Sequence, residues 1–185
     1  KHMRFFHVTR LADTGACPAL RGACLCAFLL LLAWAAGEDL RRRRIPDGAV
    51  DCILGLGLLC WILGVAPWGW ELRGMNGTEG LDLAARLGGF LCVSLPLTVV
   101  CCLAPGAFGG GDIKLAGAGG FVLGWRAMLA AGALAFLAAG AVTAALLLAG
   151  RASRRDAVPF GPFLCLGMAA AFFGGEALAL WYAGK

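Results

Sequence analysis

The stretch Gly109-Gly110-Gly111-Asp112-Ile113-Lys114-Leu115 places a carboxylate at the seam between two apolar segments. Residues 87–107 before it are apolar, and the chain turns apolar again from Leu115. An ionisable residue in such a setting is costly and asks for a functional explanation. The three glycines carry no side chains, so the backbone can bend there and other segments can approach it closely. Asp112 reads as one half of a pair whose other half is Asp39.

The surroundings of this seam are too apolar for a soluble domain. Of 185 residues, 61% are hydrophobic and 15% charged, and the mean hydropathy is +0.82. Soluble domains carry roughly a quarter of charged residues. The composition therefore points to an all-α, polytopic bundle of about six transmembrane helices in a lipid bilayer. The net charge of +5 does not indicate nucleic acid, because the arginines stand at the ends of apolar runs, where they set orientation. Nine cysteines are present without a CxxC pair, most of them inside apolar runs, where a thiol behaves as a small hydrophobe. Neither a metal site, a cofactor nor a disulfide framework is expected.

Residues 1–18 are expected to form a polar tail, with Met3 as the natural start, ahead of a membrane domain over 19–185. Apolar runs at 22–37, 52–70, 87–107, 127–150 and 159–182 read as spans, with a kink at Pro96. Residues 111–125 read as a short fourth span packed inside the bundle, where Gly117, Gly119 and Gly120 suit tight helix contacts. Between them lie a charged loop at 38–48, ended by Pro46-Asp47-Gly48, a polar loop at 71–86 with the sequon Asn76-Gly77-Thr78, and a basic loop at 151–158. Cleavage of a signal peptide near Ala33-Trp34-Ala35 would send Arg41, Arg42, Arg43 and Arg44 across the membrane, against the positive-inside tendency.

Alternation of six spans puts Arg41, Arg42, Arg43, Arg44, Lys114, Arg151, Arg154 and Arg155 on one face. Arg73, Arg86, Arg126 and Lys185 fall on the other, so the first face is expected to be cytoplasmic, with both termini outside. The tail opposes this, since Lys1, Arg4, Arg10 and Arg21 would lie outside. Trp68, Trp70, Trp125, Trp181 and Tyr182 fall at the outer ends, as an aromatic belt does.

Asp39 follows the first span and Asp112 the third, so two crossings separate them and both lie on one face in either orientation. Two carboxylates held close cannot both ionise easily and tend to share one proton. The ionised member can then take a proton from water while the protonated member polarises a peptide carbonyl. No serine or cysteine triad competes, because His2 and His7 both lie in the tail. Each aspartate also has a simpler reading. Asp39 can be a helix-end acid answering the arginines after it, and Asp112 an acid favoured by a helix N-terminus.

The flanking residues separate these readings. Asp39-Leu40-Arg41-Arg42-Arg43-Arg44-Ile45-Pro46-Asp47 resembles the prepilin peptidase pattern of an aspartate, a basic stretch and Ile/Leu-Pro-Asn/Asp. Gly109 to Leu115 resembles that family's GxGDxKL motif, and Pro159-Phe160-Gly161-Pro162-Phe163 its PFGPF opening of the last helix. The resemblance implies a six-helix membrane aspartic protease that removes the short leader of type IV prepilins, pseudopilins or archaeal preflagellins at the cytoplasmic face. By position it implies Asp39 and Asp112 as the catalytic pair, with Gly109, Gly111, Lys114, Pro46 and Asp47 in support. The substrate it implies carries a basic leader followed by an apolar helix. Larger members carry an N-terminal insert with two CxxC pairs and also N-methylate the pilin. This sequence has no such pairs and resembles the short form, as in tight-adherence (Flp) pilus systems or archaea.

Other charges admit two readings each. The arginine run can position the substrate's leader or meet lipid phosphates, and Lys114 can tune the carboxylates or reach the interface as a snorkelling cation. Glu176 within the last span can relay protons or be exposed near a helix end. A transporter using Asp39, Asp112 and Glu176 competes as a function, but both aspartates lie near one face and no inverted repeat appears. A non-catalytic pilus-assembly protein would be marked by loss of an aspartate, and neither is missing.

Overall fold

In the computed structural model, residues 18–63, 83–104, 108–150 and 159–182 are described. They form six helices: α1 (Pro18–Arg42), α2 (Asp47–Ile62), α3 (Leu83–Leu103), α4 (Gly110–Leu123), α5 (Trp125–Leu148) and α6 (Gly161–Tyr182). No strand occurs among the described residues.

The helices differ in reach. Gly22–Arg42, Leu83–Leu103 and Trp125–Leu148 are long and apolar enough to cross a membrane. Helix α4 has 14 residues, so at 1.5 Å per residue it extends about 21 Å, short of a hydrocarbon core of about 30 Å. It is instead the buried centre of the molecule. Every residue from Leu115 to Leu123 is buried, and α4 packs on α2, α3, α5 and α6. The expected short helix inside the bundle is what the structure contains.

Glycines make that position attainable. A Cβ on Gly89 of α3 would collide with the Gly120 carbonyl of α4, and one on Gly120 would collide with the Gly89 carbonyl. The two backbones therefore touch directly, a packing mode common between membrane helices. Gly119 faces the Met168 side chain of α6 and Gly117 the Phe90 ring of α3, each too close to admit a Cβ. Around this centre, Phe28, Ile53, Leu97, Met128, Leu164 and Met168 are fully buried. The outward faces remain apolar, with Leu30, Leu103, Leu137 and Leu148 exposed, which suits lipid rather than water.

Several boundaries differ from expectation. The charged loop at 38–48 shrinks to residues 43–46, because α1 continues through Arg42 and α2 begins at Asp47. An ion pair of 3.1 Å between Glu38 and Arg42 supports the last turn of α1, and two arginines there complement the helix dipole. Arg43 then takes a left-handed φ of 51° and ends the helix. Pro46 caps α2, and Asp47 supplies an acid in its first turn. Helix α3 starts at Leu83 and runs through Pro96 to Leu103. The terminal tail, Trp68, Trp70, the sequon at Asn76 and the basic loop at 151–158 lie outside the described residues, as do the side chains of Glu176, Trp181 and Tyr182.

Candidate active site

Asp39 stands in the last turn of α1 and Asp112 in the first turn of α4. These helices do not pack on each other among the described residues; α1 packs on α2 and α6. Both carboxylates are nevertheless buried, at 6% and 8% exposure, and they interact electrostatically with each other. Third parties therefore set their relative position.

The local fold holds each acid by a glycine N–H. The Gly109 N–H donates to Asp112 Oδ2 at 3.2 Å, while the Asp112 N–H donates to the Gly109 carbonyl at 3.0 Å. This satisfies one of the unpaired donors at the start of α4, and the helix dipole favours a negative group there. Asp39 accepts a hydrogen bond from the Gly161 N–H at the start of α6. A Cβ on Gly161 would lie 2.6 Å from Asp39 Oδ2 and 3.2 Å from Ile45 Cδ1. One on Gly111 would lie 3.0 Å from Ile45 Cβ. Ile45 is thus wedged between the turn carrying Asp112 and the glycine that holds Asp39.

The motif residues around the acids separate by role. Gly109 is the donor to Asp112, and Gly111 makes room for Ile45. Pro46 forms the N-cap of α2. Lys114 donates to Asp47 Oδ1 at 2.7 Å, and both side chains are exposed. The lysine is paired to the Pro-Asp turn, joining the N-terminal parts of α2 and α4, with Asp51 also felt at the ammonium. Arg41 to Arg44 are all exposed at this same end of the bundle.

Three contributors were hidden in the sequence. Ile45 reads there as a motif position, Gly161 as a helix-packing residue, and Cys165 as a buried hydrophobe. In the fold Cys165 is buried within electrostatic reach of both Asp39 and Asp112. Pro162 after Gly161 was the available signal, since a Gly-Pro step opening a helix implies a specially placed backbone. For Cys165 there was none. Arg86 is a further surprise. Expected in an outer loop, it lies within α3 at 3% exposure, bonding the carbonyls of Gly57 and Phe121 at 3.4 and 3.3 Å.

An apolar groove of about 440 Å³ between α3 and α4 runs from Phe90 to Ile113 and Lys114, the two residues after Asp112. Among the described residues, no three His, Cys, Asp or Glu side chains form a group that could hold a metal.

An all-helical membrane bundle with two buried, interacting acids at helix ends defines the class, an integral membrane protein with a paired-carboxylate site. The profile of the type IV leader peptidase family matches residues 26–149, and the chain belongs to this family. It is 31% identical over 167 residues to the prepilin leader peptidase/N-methyltransferase of Legionella pneumophila, covering 85% of this chain and 53% of that protein. It is 36% identical over 86 residues to the protein of the same name from Bacillus subtilis (strain 168), covering 46% of this chain and 35% of that one. The chain spans about half the length of these curated relatives, or less. No solved structure gives a significant match.

Proposed function

We propose that the protein is an aspartic endopeptidase that removes the leader of type IV prepilin-like substrates, with Asp39 and Asp112 as its catalytic pair. The observation that carries this reading is two buried carboxylates within electrostatic reach of each other, on helices that do not pack together. Each is held by a glycine N–H at 3.2 Å for Asp112 and by Gly161 for Asp39. Family membership supports the substrate class.

In this mechanism one carboxylate is ionised and accepts a proton from water as the water oxygen attacks the scissile carbonyl carbon. The protonated partner donates its proton to the carbonyl oxygen. When the tetrahedral species collapses, one of its hydroxyls returns a proton to the now ionised partner, the C–N bond breaks, and the amine leaves with the proton first taken from water. No covalent enzyme intermediate and no metal is required. The groove ending beside Asp112 supports this reading, because it gives an apolar substrate segment a path to the acids.

The site faces the cytoplasm in this proposal, and the protein resides in the cytoplasmic membrane. The exposed Arg41, Arg42, Arg43, Arg44 and Lys114 at the end bearing both aspartates support that orientation. A prepilin has its scissile bond between a basic leader and an apolar helix, near the interface, where water is available. The test is co-expression with a type IV prepilin, following leader loss by mass. Asp39→Asn and Asp112→Asn are each expected to lower cleavage by about 10²-fold or more while inserting normally. Full processing by either variant would sink the two-aspartate mechanism.

A further inference from the structure

Two glycine amides hold the two carboxylates, and each glycine directly follows a phenylalanine: Phe108-Gly109 and Phe160-Gly161. These two phenylalanines meet. The Phe108 and Phe160 rings are 5.2 Å apart between centroids and inclined at 69°. Phe136, from the middle of α5, completes the set at 4.9 Å from Phe160 and 5.9 Å from Phe108 in an edge-to-face contact. All three separations fall in the range of favourable aromatic pairs, which prefer inclined or edge-on geometry.

We propose that Phe108, Phe136 and Phe160 form an aromatic clamp that positions both carboxylates through the backbone N–H groups of Gly109 and Gly161. The inference rests on the two-aspartate reading above for its effect on catalysis, but not for its structural content. Because α1 and α4 do not pack against each other among the described residues, something must register Asp39 against Asp112. Ile45 fills part of the gap on one side. On the other, the route runs from Asp39 to Gly161, to the Phe160 ring, to the Phe108 ring, to Gly109 and so to Asp112.

The burial of the three rings fits this division of labour. Phe160 is the hub, at 7% exposure, and Phe136 is the outer brace, at 46%. Phe108 is also tied to α3, since its carbonyl accepts a hydrogen bond from Cys101 Sγ at 3.5 Å. The clamp therefore joins the start of α6, the turn before α4 and the body of α5. These phenylalanines are positioning residues, because none of them is assigned a contact with the reacting atoms.

The decisive variant is Phe136→Leu, which removes one ring from α5 and leaves both glycine turns untouched. Amide exchange followed by mass spectrometry is expected to rise in the peptides holding Gly109 and Gly161, with α4 around Gly120 still protected. Phe160→Leu is expected to raise exchange at Gly109, and Phe108→Leu at Gly161. In leader-cleavage assays each substitution is expected to lower kcat by about 10- to 100-fold with KM within about threefold, since small misplacements of catalytic groups cost that much. The Phe108→Leu/Phe160→Leu double variant is expected to fall no further than the worse single variant, the signature of residues that act as one unit.

Exchange changes confined to the substituted peptide would overturn the clamp, as would multiplicative losses in the double variant or losses in KM alone. Asp39→Asn and Asp112→Asn serve as controls for the reading beneath it. If these cleave normally, the two-aspartate mechanism fails while the exchange experiment still decides the clamp.

Discussion

Asp39 and Asp112 occupy helix ends of opposite polarity, the last turn of α1 and the first turn of α4. Asp112 is bound by the Gly109 amide at the start of α4, whereas Asp39 at a helix C-terminus depends on the Gly161 amide. That contact needs glycine for lack of space, since a Cβ there would stand 2.6 Å from the carboxylate oxygen. Gly161→Ala is therefore expected to displace Asp39. Overpacking of this kind costs about 1–3 kcal/mol. Thermal unfolding in detergent should report a loss of that size, and cleavage of a prepilin should fall further than the folded fraction does. Among the motif residues, Asp39, Asp112, Gly109 and Gly111 were legible as special from their flanks. Lys114 was not, because its choice between the carboxylates and the interface is settled by Asp47, 67 positions away.

At the scale of the helix, α4 carries the architecture. Its residues Gly117, Gly119 and Gly120 were readable as a close-packing surface, but not the helices they would meet. Gly89 in particular reads as an ordinary residue near the start of a span, yet its backbone lies against that of Gly120. Gly89→Ala is expected to force α3 away from α4 and to lower stability by about 1–3 kcal/mol or more. Gly140 of α5 has open space around it, so Gly140→Ala is expected to raise stability by about 0.5–1 kcal/mol through better helix propensity. Thermal midpoints of the two variants in the same detergent give the comparison, and equal shifts would contradict the close approach. Boundaries near charges were misplaced for a clear reason. Glu38, Arg41 and Arg42 look like loop residues in composition, whereas the 3.1 Å pair between Glu38 and Arg42 belongs to a continuing helix.

Across the molecule, the buried charges among the described residues sit at two ends. Asp39 and Asp112 lie at one, where α1 ends and α2 and α4 begin; Arg86 lies at the other, early in α3 and beside the later parts of α2 and α4. Its guanidinium bonds the carbonyls of Gly57 and Phe121 and stands 5.7 Å from the Phe121 ring centroid. One side chain thus ties α2 and α4 to α3 at the end far from the acids. Arg86→Leu is expected to destabilise the bundle by about 1.5–3 kcal/mol, the range for hydrogen bonds to a charged group. Because the change is remote from both aspartates, the folded fraction should retain its specific cleavage rate. Unfolding in detergent and cleavage per folded protein test the two parts, and a lost rate with unchanged stability would give Arg86 a different role.

The membrane class, the helical composition and the two acids worth pairing could all be read along the chain. Hydropathy, glycine content and short motifs are local properties, and local properties survive without coordinates. The same reading expects both aspartates on one face, since the parity of crossings needs only a count. The surroundings of Asp112 and Asp39 emerge only in the packed bundle. Gly161 arrives from α6 and Ile45 from the turn before α2, each brought in by packing between segments remote along the chain. The same holds for Arg86, whose carbonyl partners exist as a site only once α2 and α4 flank α3. The stretch from Gly109 to Leu115 named an acid that needed a partner; packing supplied the glycine amides and rings that hold the two together.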